Sequence, residues 1–181
     1  MVADLAAQAG DERALEMIER LRRFQPGEAY AILAELRIRQ SKVDEAAAAL
    51  ESAFHEFRVS PWAGFRYKLK ALTLANVAAK FSVPVARRMF TALQEPFSVR
   101  AMEVDRVTTA VALARLIDFN GLCQPVIAAS EPHVPWTLRF LSDRRDCYEA
   151  TRDSRRELAA RDLSEFLAAE PLALASGLSS R

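Results

Sequence analysis

Aromatic and basic side chains alternate over residues 62–80, and this stretch carries the strongest chemical signal in the chain. Three of the four lysines fall within it. The side chains concerned are Trp62, Phe65, Arg66, Tyr67, Lys68, Lys70, Asn76 and Lys80. On one helix they could hold an acidic peptide or a carboxylate, or they could neutralise and stack on a nucleic acid or lie on a membrane surface. The default interpretation is that Trp62, Phe65 and Leu69 face the core while the lysines are solvated.

Residue types that support catalysis or metal binding do not occur in the spacings that those functions need. His55 and His133 stand in no metal-ligand pattern, and the sequence has no nucleophile elbow, phosphate loop, dinucleotide fingerprint or Cys-x2-Cys pair. We therefore predict no catalytic, cofactor-binding or metal-binding residue, no cofactor, and a protein that is not an enzyme.

The two cysteines are too few for a disulfide framework. Cys123 falls where other copies of the repeat described below have alanine, which predicts a small buried side chain. Cys147 lies near Arg144 and Arg145, which could lower the pKa of its thiol. Its helical spacing from Trp136 still favours burial.

A run of arginines near the C-terminus suggests RNA binding, but acidic residues alternate with it. The basic members are Arg144, Arg145, Arg152, Arg155, Arg156 and Arg161, and the acidic members are Asp143, Asp146, Glu149, Asp153, Glu157 and Asp162. The local charge is therefore near zero, which predicts a self-paired helix surface.

The overall charge of +1 gives no general attraction for nucleic acid. Residues 61–120 differ, because they carry nine basic and four acidic side chains, a net charge of +5. There is no signal segment at the N-terminus, and no apolar run reaches the ~18 residues of a membrane span. We expect a cytoplasmic location and no membrane span. The excess of arginine over lysine is typical of a GC-rich bacterial genome.

Regularly spaced prolines indicate the elements that must position these side chains. Pro26, Pro61 and Pro96 are each 35 residues apart, and Pro132 and Pro171 follow after 36 and 39 residues. Proline ends one helix and suits the start of the next, and each interval has room for two helices. The second helices repeat a small residue followed four positions later by a large apolar one, as in Ala46 and Leu50.

These patterns predict an all-α protein, an α-solenoid of about four helix hairpins plus an N-terminal helix. The helices are expected at 11–24, 27–40, 43–57, 62–81, 84–94, 97–119, 121–130, 135–151 and 153–168. We assign residues 1–171 to one helical-repeat domain and expect the Ser- and Gly-containing segment 172–181 to be a disordered tail.

The first hairpin carries Tyr30, Leu33 and Ala34, then Ala46, Leu50 and Ala53. This spacing resembles the tetratricopeptide repeat over residues 27–57, while later copies keep only the second-helix pattern. The resemblance implies a superhelix whose first helices line a concave, peptide-binding side. For binding a protein or peptide partner, possibly an acidic one, we select Glu35 and Arg39 from this copy. From the second hairpin we add Arg66, Tyr67, Lys70 and Asn76.

A second resemblance rests on Glu95-Pro96-Phe97, on the segment from Glu131 to Trp136, and on the segment from Asp162 to Pro171. These are similar to the C-terminal helical-repeat region of bacterial membrane-fused spermidine synthases. That resemblance implies a catalytic domain upstream of this chain and no aminopropyl transfer within it.

The sequence therefore predicts a non-catalytic scaffold that mediates protein–protein interaction through its concave face. Two alternatives remain open. One is a regulatory or assembly domain of a larger enzyme of the polyamine synthase type, and the other is a nucleic-acid-binding helical protein that uses the basic middle third. The sequence does not determine the oligomeric state.

Overall fold

The computed structural model describes residues 2–178, with the side chains of residues 170–178 excepted. Helices form all the regular secondary structure of this part, which contains no strand. The α-helices are α1 (Val2–Gln8), α2 (Ala14–Arg22), α3 (Pro26–Arg39), α4 (Val43–Val59), α5 (Phe65–Ala79), α6 (Val83–Ala92), α7 (Glu103–Ile117), α8 (Phe119–Ala128), α9 (Leu138–Ala150) and α10 (Arg156–Leu178). A short 3₁₀ helix, Arg100–Met102, precedes α7.

A helix is present at each of the nine predicted positions, and most ends shift by up to three residues. The exceptions are α7, which begins six residues later than predicted, and α10, which ends ten residues later. The additional helix is α1, which the sequence analysis did not predict. The backbone of α10 continues to Leu178, while residues 179–181 and the side chains of 170–178 lie outside the described residues. The expected disorder of segment 172–181 stays a prediction. No helix within residues 2–178 is long and apolar enough to cross a membrane.

The chain divides into two compact units, residues 1–117 and 118–181. The assignment of residues 1–171 to one helical-repeat domain stays a prediction. In the first unit α3 packs on α4 and α5, and α5 packs on α6 and α7. Helices α4 and α6 also pack on each other, and α1 lies against α2 and α3. First helices of successive hairpins therefore contact first helices, and second helices contact second helices.

Small residues allow α3 and α4 to pack closely. Ala31, Ala34, Ala46 and Ala53 are fully buried, and each brings little more than a methyl group between two helix backbones. Gly27 serves the same purpose at the start of α3, because a Cβ there would lie 2.7 Å from the Phe57 ring. The alanine pattern predicted for the second helices is thus the packing surface of the first hairpin.

Three aromatic rings close one end of the core of the first unit. The Phe54 ring stacks on the Phe97 ring at 5.8 Å between centroids, and the Phe57 ring meets Phe97 edge-on at 5.6 Å. Buried aromatic pairs of this geometry contribute about 0.5–1.5 kcal/mol beyond their area. Ser98 donates a hydrogen bond to the Phe57 carbonyl at 2.8 Å, which fixes the segment after α6 against α4.

The second unit consists of α8, α9 and α10. Asp118 caps the start of α8 by accepting a hydrogen bond from the Gly121 amide, and Thr137 caps α9 by accepting one from the Phe140 amide. The Trp136 ring meets the Phe166 ring at 6.4 Å between centroids.

Cys123 on α8 and Cys147 on α9 form a disulfide with their Cα atoms 5.9 Å apart. The predicted burial of both cysteines is confirmed. Their treatment as two separate thiols was wrong, because packing of α8 on α9 brings them together although 24 positions separate them in the sequence. With no free thiol there is no thiolate pKa for Arg144 and Arg145 to lower.

We predict that Leu50→Asp destabilises the first unit by several kcal/mol, because Leu50 is fully buried and an unpaired carboxylate would replace it. Thermal unfolding followed by circular dichroism measures the effect. The matched control is His55→Asp on the exposed side of the same helix, with an expected change within about 0.5 kcal/mol. A Leu50→Asp protein that melts like the control would contradict the assigned packing of α4.

Candidate functional site

Helices α3 and α5 each present two of the predicted binding residues one turn apart. Glu35 and Arg39 are at positions i and i+4 of α3, and Arg66 and Lys70 are at the same spacing on α5. Side chains at this spacing lie on one side of a helix. Because α3 packs on α5, the structure brings all four residues to one surface.

Asp4 of α1 supplies the centre of this surface. Its carboxylate accepts a hydrogen bond from the Arg66 guanidinium at 2.9 Å and a second one from the Lys70 ammonium. Lys70 also donates to Glu35, and Glu35 lies 3.8 Å from Arg39. We call these five residues (Asp4, Glu35, Arg39, Arg66 and Lys70) the ionic cluster.

Burial makes the central pairs of the ionic cluster stronger than ordinary surface ion pairs. Asp4 is only 3% exposed and Glu35 only 7% exposed. Burial alone would lower the pKa of Lys70, but its hydrogen bonds to Asp4 and Glu35 outweigh that effect and raise the pKa. Lys70 is therefore a fully charged ammonium held between two buried carboxylates.

The remaining two predicted residues lie beside the cluster or apart from it. Tyr67 is buried, and the Arg66 guanidinium lies 5.0 Å from the centre of its ring. Burial, together with the negative charge of Asp4, raises the pKa of Tyr67. Asn76 lies further along α5, where its amide donates to the Leu72 carbonyl. The geometry thus joins five predicted residues, Tyr67 included, and leaves Asn76 outside.

The default interpretation of segment 62–80 was wrong for Trp62, Phe65, Lys68 and Lys70, whereas Lys80 is exposed as expected. Trp62 is 87% exposed and Phe65 is also exposed, so neither faces the core. Conversely, Lys68 is 1% exposed, and Lys70 is mostly covered. The physical reason is that each buried lysine finds specific acceptors, which offset the cost of removing its charge from water.

Lys68 holds the turn between α4 and α5 from the inside. Its ammonium donates to the carbonyls of Pro61 and Ala63 and lies 5.5 Å from the centre of the Phe57 ring. Burial lowers the pKa of Lys68, while the negative charge of Glu28 counteracts this. Glu28, itself buried, accepts a hydrogen bond from the Gly64 amide at 2.8 Å. Two buried charges therefore fix the Pro61–Gly64 backbone.

The arginines of the second unit are largely paired internally, as the sequence predicted. Arg144 is almost fully buried and donates to Glu131 at 2.8 Å and to Asp162 at 2.6 Å. Tyr148 donates to the same Glu131 at 3.0 Å, and burial followed by this hydrogen bond raises the pKa of Tyr148 to about 12. The ion pairing is not confined to the helix surface, where the sequence predicted it, because Arg144 lies in the interior of the unit.

Asp4 is the residue of the site that the sequence analysis missed. Its segment is short and rich in alanine, and it has no apolar periodicity that marks a helix docked on a neighbour. The only signal in the sequence is that Asp4 is a single acidic residue among small ones. Its basic partners, Arg66 and Lys70, lie more than sixty positions later in the chain.

Comparison with known proteins identifies no family for this chain, because no family model, no curated protein and no solved structure matches it. The resemblances to tetratricopeptide repeats and to the spermidine synthase repeats stay predictions.

We predict that Asp4 and Lys70 are energetically coupled. In a double-mutant cycle with Asp4→Asn and Lys70→Met, the coupling energy should be about 1–3 kcal/mol, because both side chains are largely buried and in contact. Urea unfolding of the four proteins measures it. The control cycle uses Glu16 and Arg20, an exposed pair at 2.5 Å, and should give at most about 0.5 kcal/mol. Equal coupling energies in the two cycles would refute the assigned role of burial.

Proposed function

We propose that this protein is a non-catalytic scaffold that mediates protein–protein interaction, and that the α3–α5 surface binds a short helix carrying an acidic side chain. The observation that carries the proposal is the docking of α1, because Asp4 occupies the ionic cluster as a ligand carboxylate would. Binding of an amphipathic helix against the helices of another domain is a recurrent mode of recognition.

The docked α1 behaves more like a ligand than like part of the core. It has seven residues, and a helix of that length is marginal in isolation. Only Asp4 and Ala7 are buried, while Val2 and Leu5 remain exposed. Little apolar area supports the docking, so the contact depends mainly on the carboxylate of Asp4.

Because α1 of the same chain already lies on this surface, a partner can bind there only in competition with α1. A tethered segment acts at an effective concentration that reaches the millimolar range for short linkers. A partner helix must therefore displace α1 and provide an equivalent carboxylate. The same requirement limits binding to partners whose acidic side chain fits between Arg66 and Lys70.

The solenoid architecture is part of the proposal. The contacts of α3 with α5 and of α5 with α7, together with those of α4 with α6, support a stack of hairpins in which first helices form one layer. In such a stack the first helices line the concave side. The ionic cluster would then lie on that side, where the tetratricopeptide resemblance expects a peptide.

Two alternatives have weaker support. A regulatory or assembly role in an enzyme of the polyamine synthase type rests on the sequence phrases alone. Nucleic-acid binding by residues 61–120 is disfavoured, because three of its cations pair with carboxylates outside this segment. Arg66 and Lys70 bind Asp4, and Arg88 binds Glu51. The positive charge left for a nucleic acid is therefore smaller than the net charge of +5.

The cytoplasmic location and the bacterial origin stay predictions. The Cys123–Cys147 disulfide counts against a reducing compartment, because disulfides rarely persist there.

A synthetic peptide with the sequence of residues 1–11, labelled with a fluorophore, tests the proposal by fluorescence anisotropy against the full chain. We expect the Asp4→Asn protein to bind the peptide at least about tenfold more tightly than the unmodified protein, because its own α1 competes less well. A peptide with asparagine in place of the aspartate should bind the same variant about tenfold more weakly.

The second arm introduces Arg66→Glu into the Asp4→Asn protein. The Arg66 side chain is 63% exposed, so the fold should tolerate the change, and circular dichroism verifies this. We expect loss of peptide binding through charge repulsion. Equal affinity for the aspartate and asparagine peptides, or unchanged binding to the charge-reversed protein, would refute the proposed site.

A further inference from the structure

The most exposed aromatic side chains of the first unit face a common recess. Trp62, in the turn between α4 and α5, is 87% exposed, and Phe24, after the end of α2, is 83% exposed. Both line a recess of about 40 Å³ that also borders Gly27 and Glu56. Aromatic rings exposed this fully and placed together are typical of a contact surface, because a soluble protein rarely leaves such a patch without a use.

Glu56 supplies the charge of this recess. Its backbone carbonyl accepts the Ser60 amide at the end of α4, but within the described part of the chain its carboxylate has no hydrogen bond or ion pair. The nearest basic residue along α4, Arg58, is engaged elsewhere, with the Ala92 carbonyl at 2.7 Å and with Glu95. The recess therefore combines two aromatic walls with an unneutralised negative charge.

The turn that carries Trp62 is fixed. Lys68 holds the carbonyls on either side of Trp62, those of Pro61 and Ala63, and Glu28 holds the Gly64 amide. The turn thus has a buried lysine and a buried glutamate behind it, while the aromatic ring points to solvent. Because the backbone of the turn is already fixed, binding at Trp62 orders only its side-chain torsions, which favours affinity.

We propose that Phe24, Trp62 and Glu56 form a binding site for a cationic side chain, the lysine or arginine of a partner protein. The faces of Trp and Phe rings attract a cation, and a carboxylate beside them adds a direct ion pair. This site is separate from the ionic cluster and of opposite charge preference. It does not depend on the docking of α1.

The size of the recess agrees with this ligand class. A cavity that holds benzene has a volume of about 150 Å³, so a recess of about 40 Å³ admits a small head group and excludes an aromatic side chain. Glu56 also borders a wider open groove of about 460 Å³, together with Tyr30 and His55. That groove leaves room for the peptide chain that carries the cation.

Trp62 itself reports binding in the full-length protein. Trp136→Phe leaves Trp62 as the sole tryptophan, since the chain has two. The probe is Nα-acetyl-lysine N-methylamide, and the matched neutral probe is the norleucine analogue, which has the same length without the ammonium. We expect a saturable change in Trp62 fluorescence with the lysine probe, at a Kd on the order of 1 mM for so small a ligand. The norleucine probe should bind at least about fivefold more weakly.

Three further variants assign the interaction to the recess. Glu56→Gln and Phe24→Ala should each weaken binding of the lysine probe about fivefold, because each removes one attraction for the cation. The control is Glu12→Gln, which makes the same change of charge two residues before α2, beyond the end opposite to Phe24, and should leave the Kd unchanged. Phe24 is exposed and Glu56 is partly exposed, so all variants should retain their circular dichroism spectrum.

Three results would overturn the proposal. Equal affinity for the lysine and norleucine probes would identify a merely apolar site. A Kd unaffected by Glu56→Gln would remove the carboxylate from the site. A lysine probe that causes no saturable change in fluorescence would exclude cation binding at Trp62.

Discussion

One buried ion cluster determines how the first unit is arranged. Lys70 of α5 bridges Asp4 of α1 and Glu35 of α3, so three helices meet at one ammonium. Replacing Lys70 would leave the buried carboxylates of Asp4 and Glu35 without their shared cation, which costs more than breaking a surface pair. If α1 leaves, Lys70 keeps its ion pair with Glu35, so α3 and α5 stay joined while α1 is displaced. The contact between Asp4 and Lys70 also places α1 on the surface that the sequence assigns to a partner. The fold and the proposed function therefore depend on one interaction.

Neighbouring lysines on α5 serve different purposes because their acceptors differ. Lys68 satisfies its charge with backbone carbonyls and fixes the turn that exposes Trp62. Lys70 satisfies its charge with carboxylates from two other helices. One helix thus supports the two surfaces that we propose as binding sites: the ionic cluster for an acidic group, and the recess beside Trp62 and Glu56 for a basic one.

The helices were predictable because their signals are local, whereas the site depends on contacts between distant residues. Pro26 and the alanines of α4 indicate the first hairpin without any tertiary information. Helix α1 escaped prediction, since a seven-residue segment that buries only Asp4 and Ala7 has no periodic pattern. Trp62 was assigned to the core on hydrophobicity alone. It lies in a turn whose backbone carbonyls accept from Lys68, and these contacts are apparent only when the turn has its folded shape.

Native-state hydrogen exchange read by mass spectrometry shows whether α1 is a docked and displaceable segment. We expect the amides of Val2–Gln8 to exchange through local opening, at a free energy well below that of unfolding, while α3 and α4 stay protected. If α1 exchanges only when α3 and α4 also exchange, then it is an integral part of the core. The ionic cluster would in that case be a structural element and could not receive a partner.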